Sequence, residues 1–347
     1  MDLTKLGWNA GLDQYFAPHL AKGLVPARVA VEDKHFFRVW TGDKELLAQA
    51  AGKLIHEARG SNAKFPKVGD WVALKLVPNE EKAVIQAILP RRTQLSRKLS
   101  DAGTSEQILA TNIDTAFMVG AADASFDPVR LEQMLVMVHE SGARPIVLLN
   151  KIDLCDDLDA KLATATRLAG GALVLAACAL TGRGVKKLGE LIKPGDTAVF
   201  IGTSGVGKSS LINRLYGEEI QPTLEVRESD AKGRHTTSWR EMIFLPQGGV
   251  VIDTPGIREF HIWIASGGSN QAFPEVDALS LRCHFRDCTH TKENKCAVLE
   301  ALAAGTLPRE RYESFRRLQI EIGLLREGKN RTARQDRRKR SNNQSRA

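Results

Sequence analysis

Hydrophobic and polar positions change texture three times along the chain. Between residues 25 and 98 the apolar residues come in short bursts. Ala27–Val31 and His35–Trp40 are β-branched or aromatic and are parted by Glu32-Asp33. Asp70–Leu76 alternates Val72, Leu74 and Leu76, and Lys82–Leu89 alternates Ile85, Ala87 and Leu89. A period of two predicts strands with one buried face, and Lys67-Val68-Gly69-Asp70 supplies a turn between two of them. Several short strands in so short a stretch predict a small barrel or sandwich. Arg91, Arg92, Arg97 and Lys98 crowd its exit, a pattern that fits a solvated edge and a nucleic-acid contact equally well.

From about 110 to 260 apolar runs alternate with helical periodicity. Asp114–Val119, Arg144–Leu149, Ala172–Ala176, Thr197–Ile201, Glu241–Leu245 and Gly249–Ile252 are the expected strands, with helices such as Pro128–Glu140 and Lys208–Leu215 between them. This predicts an α/β domain with a largely parallel sheet, whose ligands bind beyond the carboxyl ends of the strands. From about 275 a Cys/His cluster is followed by Pro308–Glu327. There Tyr312, Phe315, Leu318, Ile322 and Leu325 recur at spacings of three and four, and Pro308 suits a first helical turn. An amphipathic helix is expected.

Charge changes this picture at one end. The chain of 347 residues carries a net +8, and a basic protein is drawn to polyanions. Residues 328–347 hold eight basic side chains against the single acid Asp336, so the remaining 327 residues are nearly neutral at +1. A globular body with a disordered cationic tail is expected. The longest apolar stretch, Ala169–Leu180, is too short to cross a bilayer, and no charged-then-apolar leader opens the chain. Five cysteines, three of them clustered late, argue against a disulfide framework and for a cytoplasmic setting.

The chemistry sits at the predicted strand ends. Gly202-Thr203-Ser204-Gly205-Val206-Gly207-Lys208-Ser209 lies between a strand and a helix and matches the phosphate loop G-x-x-x-x-G-K-[ST] at every fixed position. Its backbone N–H groups would cradle phosphate, Lys208 would reach the outer phosphates, and the Ser209 hydroxyl would ligate Mg²⁺; Ser210 completes the set. Asn150-Lys151-Ile152-Asp153 closes an earlier strand and resembles the N-K-x-D element by which GTPases read guanine. A carboxylate at Asp153 can accept both the ring N–H and the exocyclic amine of guanine, whereas adenine would leave it unpaired. Cys178-Ala179 stands where GTPases usually have Ser-Ala, so both are expected in the GTP site; Ala179 is expected to contact guanine through its backbone, and Cys178 is read as packing there rather than as catalytic.

Asp253-Thr254-Pro255-Gly256 follows the run Val250-Val251-Ile252 and fits the D-x-x-G element that senses a terminal phosphate, with Asp253 reaching Mg²⁺ through water. Ile257 follows in place of the water-orienting glutamine of Ras-type enzymes, so unaided hydrolysis should be slow. The polar stretch Gly217–Trp239 contains His235, Thr236 and Thr237. Either threonine can complete the Mg²⁺ shell, and His235 is either the residue that positions water or a solvated loop histidine. Finally, Cys283, Cys288, His290 and Cys296 fall within fourteen residues. Three thiolates and an imidazole with no open position predict one structural zinc per chain; His284 is a less well spaced alternative.

In most GTPases the phosphate loop comes first and the guanine motif last. Here the guanine motif precedes both phosphate elements, so the domain is circularly permuted. With that order, the β-rich start and the late Cys/His cluster, the chain resembles over about residues 25–325 the RsgA (YjeQ/EngC) family of small-subunit-dependent ribosomal GTPases. The resemblance implies a multidomain α/β protein with a β-barrel: an N-terminal OB-fold, a circularly permuted P-loop GTPase domain and a C-terminal zinc-binding helical domain. It implies binding of the small ribosomal subunit and its rRNA during late maturation, with GTP hydrolysis slow until the subunit stimulates it. It maps the family's water-positioning histidine to His235 and its zinc ligands to the cluster above. A monomer is expected.

The units expected are an extension (1–24), an OB-fold RNA-binding domain (25–98), the permuted GTPase domain (99–265), a zinc domain with its helix (266–327) and the basic tail (328–347). Because the segment after Gly256 leads directly into the zinc domain, a shift at Asp253–Gly256 could reorient that domain. Two other readings remain: an RNA-binding assembly factor whose nucleotide site is mainly structural, and a permuted GTPase acting on the large subunit.

Overall fold

The structure is a computed structural model and describes residues 2–33, 36–58, 64–98, 106–220, 241–254, 272–320 and 322–323. Residues 2–20 form a 3-10 turn, Leu3–Leu6, and helix α1 (Ala10–Leu20). The barrel strands are β1 (Val25–Glu32), β2 (Phe37–Trp40), β3 (Glu45–Ala50), β4 (Trp71–Leu76) and β5 (Lys82–Ile88), with α2 (Gly52–Ala58) between the third and fourth. Their order β1-β2-β3-β5-β4 closes on itself because β4 also pairs with β1, from Val25↔Leu74 to Arg28↔Trp71. The pairings are antiparallel apart from β3 with β5. Ala27, Val29, Phe37, Val39, Val72 and Leu74 fill the interior, which is the period-two pattern of the sequence turned inward.

The hairpin β6 (Gln94–Lys98) and β7 (Glu106–Thr111) leads out of the barrel. Next come β8 (Thr115–Ala121), α3 (Pro128–Ser141), β9 (Arg144–Asn150), α4 (Leu158–Leu168), β10 (Leu173–Ala176), α5 (Val185–Glu190), β11 (Thr197–Ile201), α6 (Lys208–Tyr216), β12 (Glu241–Phe244) and β13 (Val250–Asp253). The sheet order is β10-β9-β8-β11-β13-β12, parallel except for β12. Met118, Val199 and Ile201 pack on one face and Phe117, Val119 and Phe200 on the other. Burial on both faces is why these strands read as unbroken apolar runs. One rung, Val31↔Glu241, joins β12 to β1 and makes a single eleven-stranded sheet of barrel and α/β domain.

Residues 2–24 pack onto the barrel. Leu6 and Phe16 are buried against Trp71, Ala73 and Leu89 of the barrel. The C-terminal module comprises α7 (Pro274–Ser280), α8 (Ala297–Ala303) and α9 (residues 309–320). Phe315, Leu318 and Ile322 are buried in its core, as the three-four spacing predicted, together with Val136 from α3. Arg311 crosses the same boundary: it donates to Glu132 of α3 at 2.8 Å, to Glu275 at 2.6 Å and to the Ala272 carbonyl at 3.0 Å. Glu132 and Arg311 are both buried, so removing either would strand an unpaired charge.

Two features escaped the sequence reading. The β3 segment Glu-Leu-Leu-Ala-Gln-Ala is made of helix-favouring residues and is a strand because β2 and β5 flank it, tertiary pairing overriding propensity. The β6–β7 hairpin is polar enough to read as linker. Among the described residues no helix is long and apolar enough to cross a membrane.

Candidate functional site

The loop Gly202–Ser209 follows β11, all five residues of which are buried, and runs into α6. Gly207 caps that helix at φ +93, and a Cβ there would lie 2.3 Å from the Asn150 Nδ2, so glycine is required on both counts. Lys208 is buried, and its ammonium donates to the carbonyls of Gly202 at 3.1 Å and Thr203 at 3.0 Å. Burial pulls its pKa down to about 8, against the charge of Asp253, which raises it. Ser209 and Ser210 follow on the first turn of α6, half-buried.

Asp253 reaches this loop through strand register. β13 runs parallel to β11 with Phe200 opposite Asp253, so the buried Asp253 carboxylate ends its strand beside the start of the loop. The Thr254 hydroxyl donates to the Phe200 carbonyl at 2.8 Å and fixes the turn that follows.

Asn150 joins the two halves of the site. From the end of β9 its Nδ2 donates to the Val206 carbonyl at 2.8 Å and its Oδ1 accepts from the Ala179 N–H at 3.1 Å. The expected base-contacting N–H of Ala179 is therefore already engaged. Lys151 has left-handed backbone, φ 61, and its ammonium lies 3.5 Å from Asp123. Asp153 is exposed, and the Cys178 thiol donates to its Oδ1 at 3.0 Å. The Cys178 sulfur also accepts from the Thr181 N–H at 3.3 Å. Cys178 is buried, and its thiol holds the carboxylate that the sequence assigns to base reading.

Arg214, which the sequence reading passed over, donates from α6 to the Ala179 carbonyl at 2.8 Å and also to that of Leu180. A basic residue near a helix C-terminus was its only local signal, and that signal says nothing of the loop it holds. His235, Thr236, Thr237 and Gly256 lie outside the described residues, as do Ile257 and the tail 328–347.

Among the described residues, Cys283, Cys288, His290 and Cys296 form a group whose ligand atoms all lie within 4.8 Å of one another, and the group could hold a metal ion. His284 is not one of them. The His290 Nδ1 is 3.6 Å from the Cys283 sulfur and 3.3 Å from that of Cys296, and the two sulfurs are 3.8 Å apart. The Ser280 hydroxyl donates to the Val276 carbonyl at 2.7 Å and meets His290 Nε2 at 3.0 Å. It thereby accepts the Nε2 proton and leaves the Nδ1 lone pair facing the sulfurs. Burial lowers the His290 pKa, favouring the neutral ring that ligation needs. The Tyr312 hydroxyl holds the His290 carbonyl at 2.6 Å and ties the group to α9.

A family model described as RsgA GTPase matches residues 88–263. The small ribosomal subunit biogenesis GTPase RsgA of Opitutus terrae is 41% identical over 330 residues, covering 92% of this chain and 90% of its own. The protein RsgA 2 of the same description from Lactiplantibacillus plantarum is 43% identical over 300 residues, covering 86% and 84%. Among solved structures, YjeQ from Thermotoga maritima superposes with a TM-score of 0.63 at 26% identity over 87% of this chain and 99% of that one. The circularly permuted GTPase YloQ shares the fold, with a TM-score of 0.61 at 24% identity over 89% and 96%.

Proposed function

The chain belongs to the RsgA GTPase family, and on that footing we propose that it binds GTP with Mg²⁺, hydrolyses it slowly alone and faster on the small ribosomal subunit, and acts there in late maturation. The observation that carries this reading is the Asn150 side chain, which bonds the phosphate loop at Val206 and the base loop at Ala179 at once. A fold-stabilising remnant would have no need to hold two ligand-binding loops in mutual register.

Each residue then has a task. Lys208 exchanges its two loop carbonyls for phosphate oxygens, and the N–H groups of Gly202–Ser209 turn toward the same anion. Ser209 and Asp253 would hold Mg²⁺ together with Thr236 or Thr237; bound there, the ion neutralises charge on the outer phosphates. Asp153, steadied by Cys178, accepts the two guanine donors. Gly256 senses the terminal phosphate, and His235 is our candidate for orienting the attacking water. The Cys/His group is assigned one structural zinc. Zn–S bonds of ~2.3 Å in a tetrahedron give edges of roughly 3.8 Å, which the Cys283–Cys296 separation of 3.8 Å supports.

We further assign residues 25–98 to rRNA contact, 99–265 to the nucleotide cycle, 266–327 to the zinc module, and 328–347 to a salt-sensitive tether, in a cytoplasmic monomer. GTP turnover with purified small subunits should exceed turnover alone by at least tenfold. No stimulation would reduce the protein to an RNA-binding assembly factor, and stimulation by large subunits instead would reassign its partner.

A further inference from the structure

Asn150 is one tie between the phosphate loop and the loop that follows β10, and a second tie comes from a residue outside every nucleotide motif. Arg214 lies six residues after Lys208 on α6, about 9 Å further along the helix axis. Its guanidinium donates to the Ala179 carbonyl at 2.8 Å and to the neighbouring Leu180 carbonyl. The helix that starts on the phosphate loop therefore grips the base loop from its last turn.

That grip is not needed by α6 itself. Gly217 caps the helix, its N–H bonded to the Asn213 carbonyl, and Leu211, Ile212 and Leu215 anchor it in the core beneath the sheet. A basic residue in a last turn ordinarily serves the carbonyls of its own helix, whereas Arg214 serves another segment. The loop, by contrast, has few anchors of its own. Leu180 is 74% exposed, so its side chain holds nothing in place, and the orientation of its backbone rests on hydrogen bonds.

Two consecutive carbonyls on one guanidinium fix two peptide planes. In a trans peptide the N–H points opposite to the C=O. The plane that turns the Ala179 carbonyl to Arg214 therefore carries the Leu180 N–H on its far edge, and the next plane carries the Thr181 N–H. The Thr181 N–H meets the Cys178 sulfur at 3.3 Å, and the Cys178 thiol donates to Asp153 at 3.0 Å. The edge turned away from Arg214 is thus the one beside Asp153. Guanine places its O6 next to the N–H that Asp153 would accept, so backbone donors on that edge lie where O6 falls. The Ala179 N–H is already bonded to Asn150 at 3.1 Å, which leaves this task to the peptide groups that Arg214 orients.

We propose that Arg214 is a positioning residue for base selection, holding residues 179–181 so that their backbone meets the oxygen of a 6-oxopurine while Asp153 takes the donor edge. The inference rests on the GTP reading above. Its test compares the full chain with Arg214→Met, which keeps the apolar stem and loses the donors, and with Arg214→Lys, which restores a cationic donor. Affinities are measured for GTP, for ITP, which keeps O6 and lacks the 2-amine, and for 6-thio-GTP, which keeps both donors and exchanges O6 for the weaker acceptor sulfur. Arg214→Met should weaken GTP and ITP by about five- to tenfold each and 6-thio-GTP by less than about twofold, and Arg214→Lys should recover part of the loss. Melting temperatures should stay within about two degrees of the parent, as for other exposed substitutions.

Unchanged GTP affinity in Arg214→Met would overturn the proposal. So would an equal loss for all three nucleotides, which would make Arg214 a brace between helix and loop with no part in reading the base. A parent chain that bound no GTP would overturn the nucleotide reading and this one together, whereas a parent that binds GTP beside an unaffected variant overturns the role of Arg214 alone.

Discussion

The expected phosphate and guanine elements draw on residues from Asn150 to Asp253, and Asn150, the loop Gly202–Ser209 and Asp253 stand at the ends of buried strands. The Cys/His group takes its four residues from Cys283 to Cys296 and sets them between two helices of seven residues each. The first arrangement is built by a sheet that would exist without it. Helices as short as the second pair do not persist alone; they lean on a small core of Phe273, Val276, Val298 and Phe315 and on the Cys/His group between them. The contrast teaches where damage goes: removing a side chain from the nucleotide loops should cost binding, and removing one from the cluster should cost local structure.

The severest attack on this contrast is metal withdrawal. Structural zinc contributes on the order of 10 kcal/mol in small modules, so a strong chelator, or Cys296→Ala, should abolish amide-exchange protection across residues 274–303 while leaving β8, β9 and β11 protected. Uniform loss of protection would mean that the Arg311–Glu132 pair binds the module too firmly for the two regions to fail separately.

Lys208→Ala attacks from the other side. Losing a charged hydrogen-bond donor costs about 1.5–3 kcal/mol, a drop in GTP affinity of about 10- to 100-fold, while the melting temperature should hold or rise. The rise follows from the sign of the pKa change. The folded lysine titrates at about 8 and the unfolded one near 10.5, so its protonation opposes folding below pH 8, and that cost fades as pH climbs from 8 to 10.5. Conversely, GTP needs the ammonium. Its affinity should weaken between pH 8 and 9 by up to about tenfold, and Lys208→Arg should not show this slope.

The mildest probe concerns Cys178. Cys178→Ala frees Asp153 and should weaken GTP binding by about three- to tenfold and narrow the preference for guanine over xanthine nucleotides, whereas Cys178→Ser should restore both. If alanine and serine behave alike, the 3.0 Å contact is packing alone.

The architecture was legible because its periodicities are plain. Barrel strands alternate, sheet strands run apolar throughout, and the ends of β9, β11 and β13 carry motifs whose spacing fixes their chemistry. What stayed hidden depends on partners distant in sequence. Nothing near Asn150 in the sequence indicates that it spans from Val206 to Ala179. The thiol of Cys178 gained its role only from the approach of Asp153, and Glu45–Ala50 became a strand only because two neighbours needed a third. Arg28 reads as an ordinary barrel residue until three carbonyls from separate segments surround it.

The seam between barrel and α/β sheet has one strand rung, Val31↔Glu241, but an ion pair of Arg38 and Glu241 at 2.7 Å, the edge contact of Trp40 with Phe244, and hydrogen bonds of Thr111 and Asn112 to the Val68 and Gly69 carbonyls lie around it. The barrel closes through β1 and β4 whether or not β12 lies alongside, so neither half depends on the other for its own pairing. What the strands leave open the interior closes, because Ala30, Val31 and Val68 of the barrel are buried in one core with Ile113, Ala116 and Ile252 of the α/β half. A push on the barrel is therefore carried into the nucleotide half through packed side chains, as through a filled joint, even though only one pair of residues is in strand register across it.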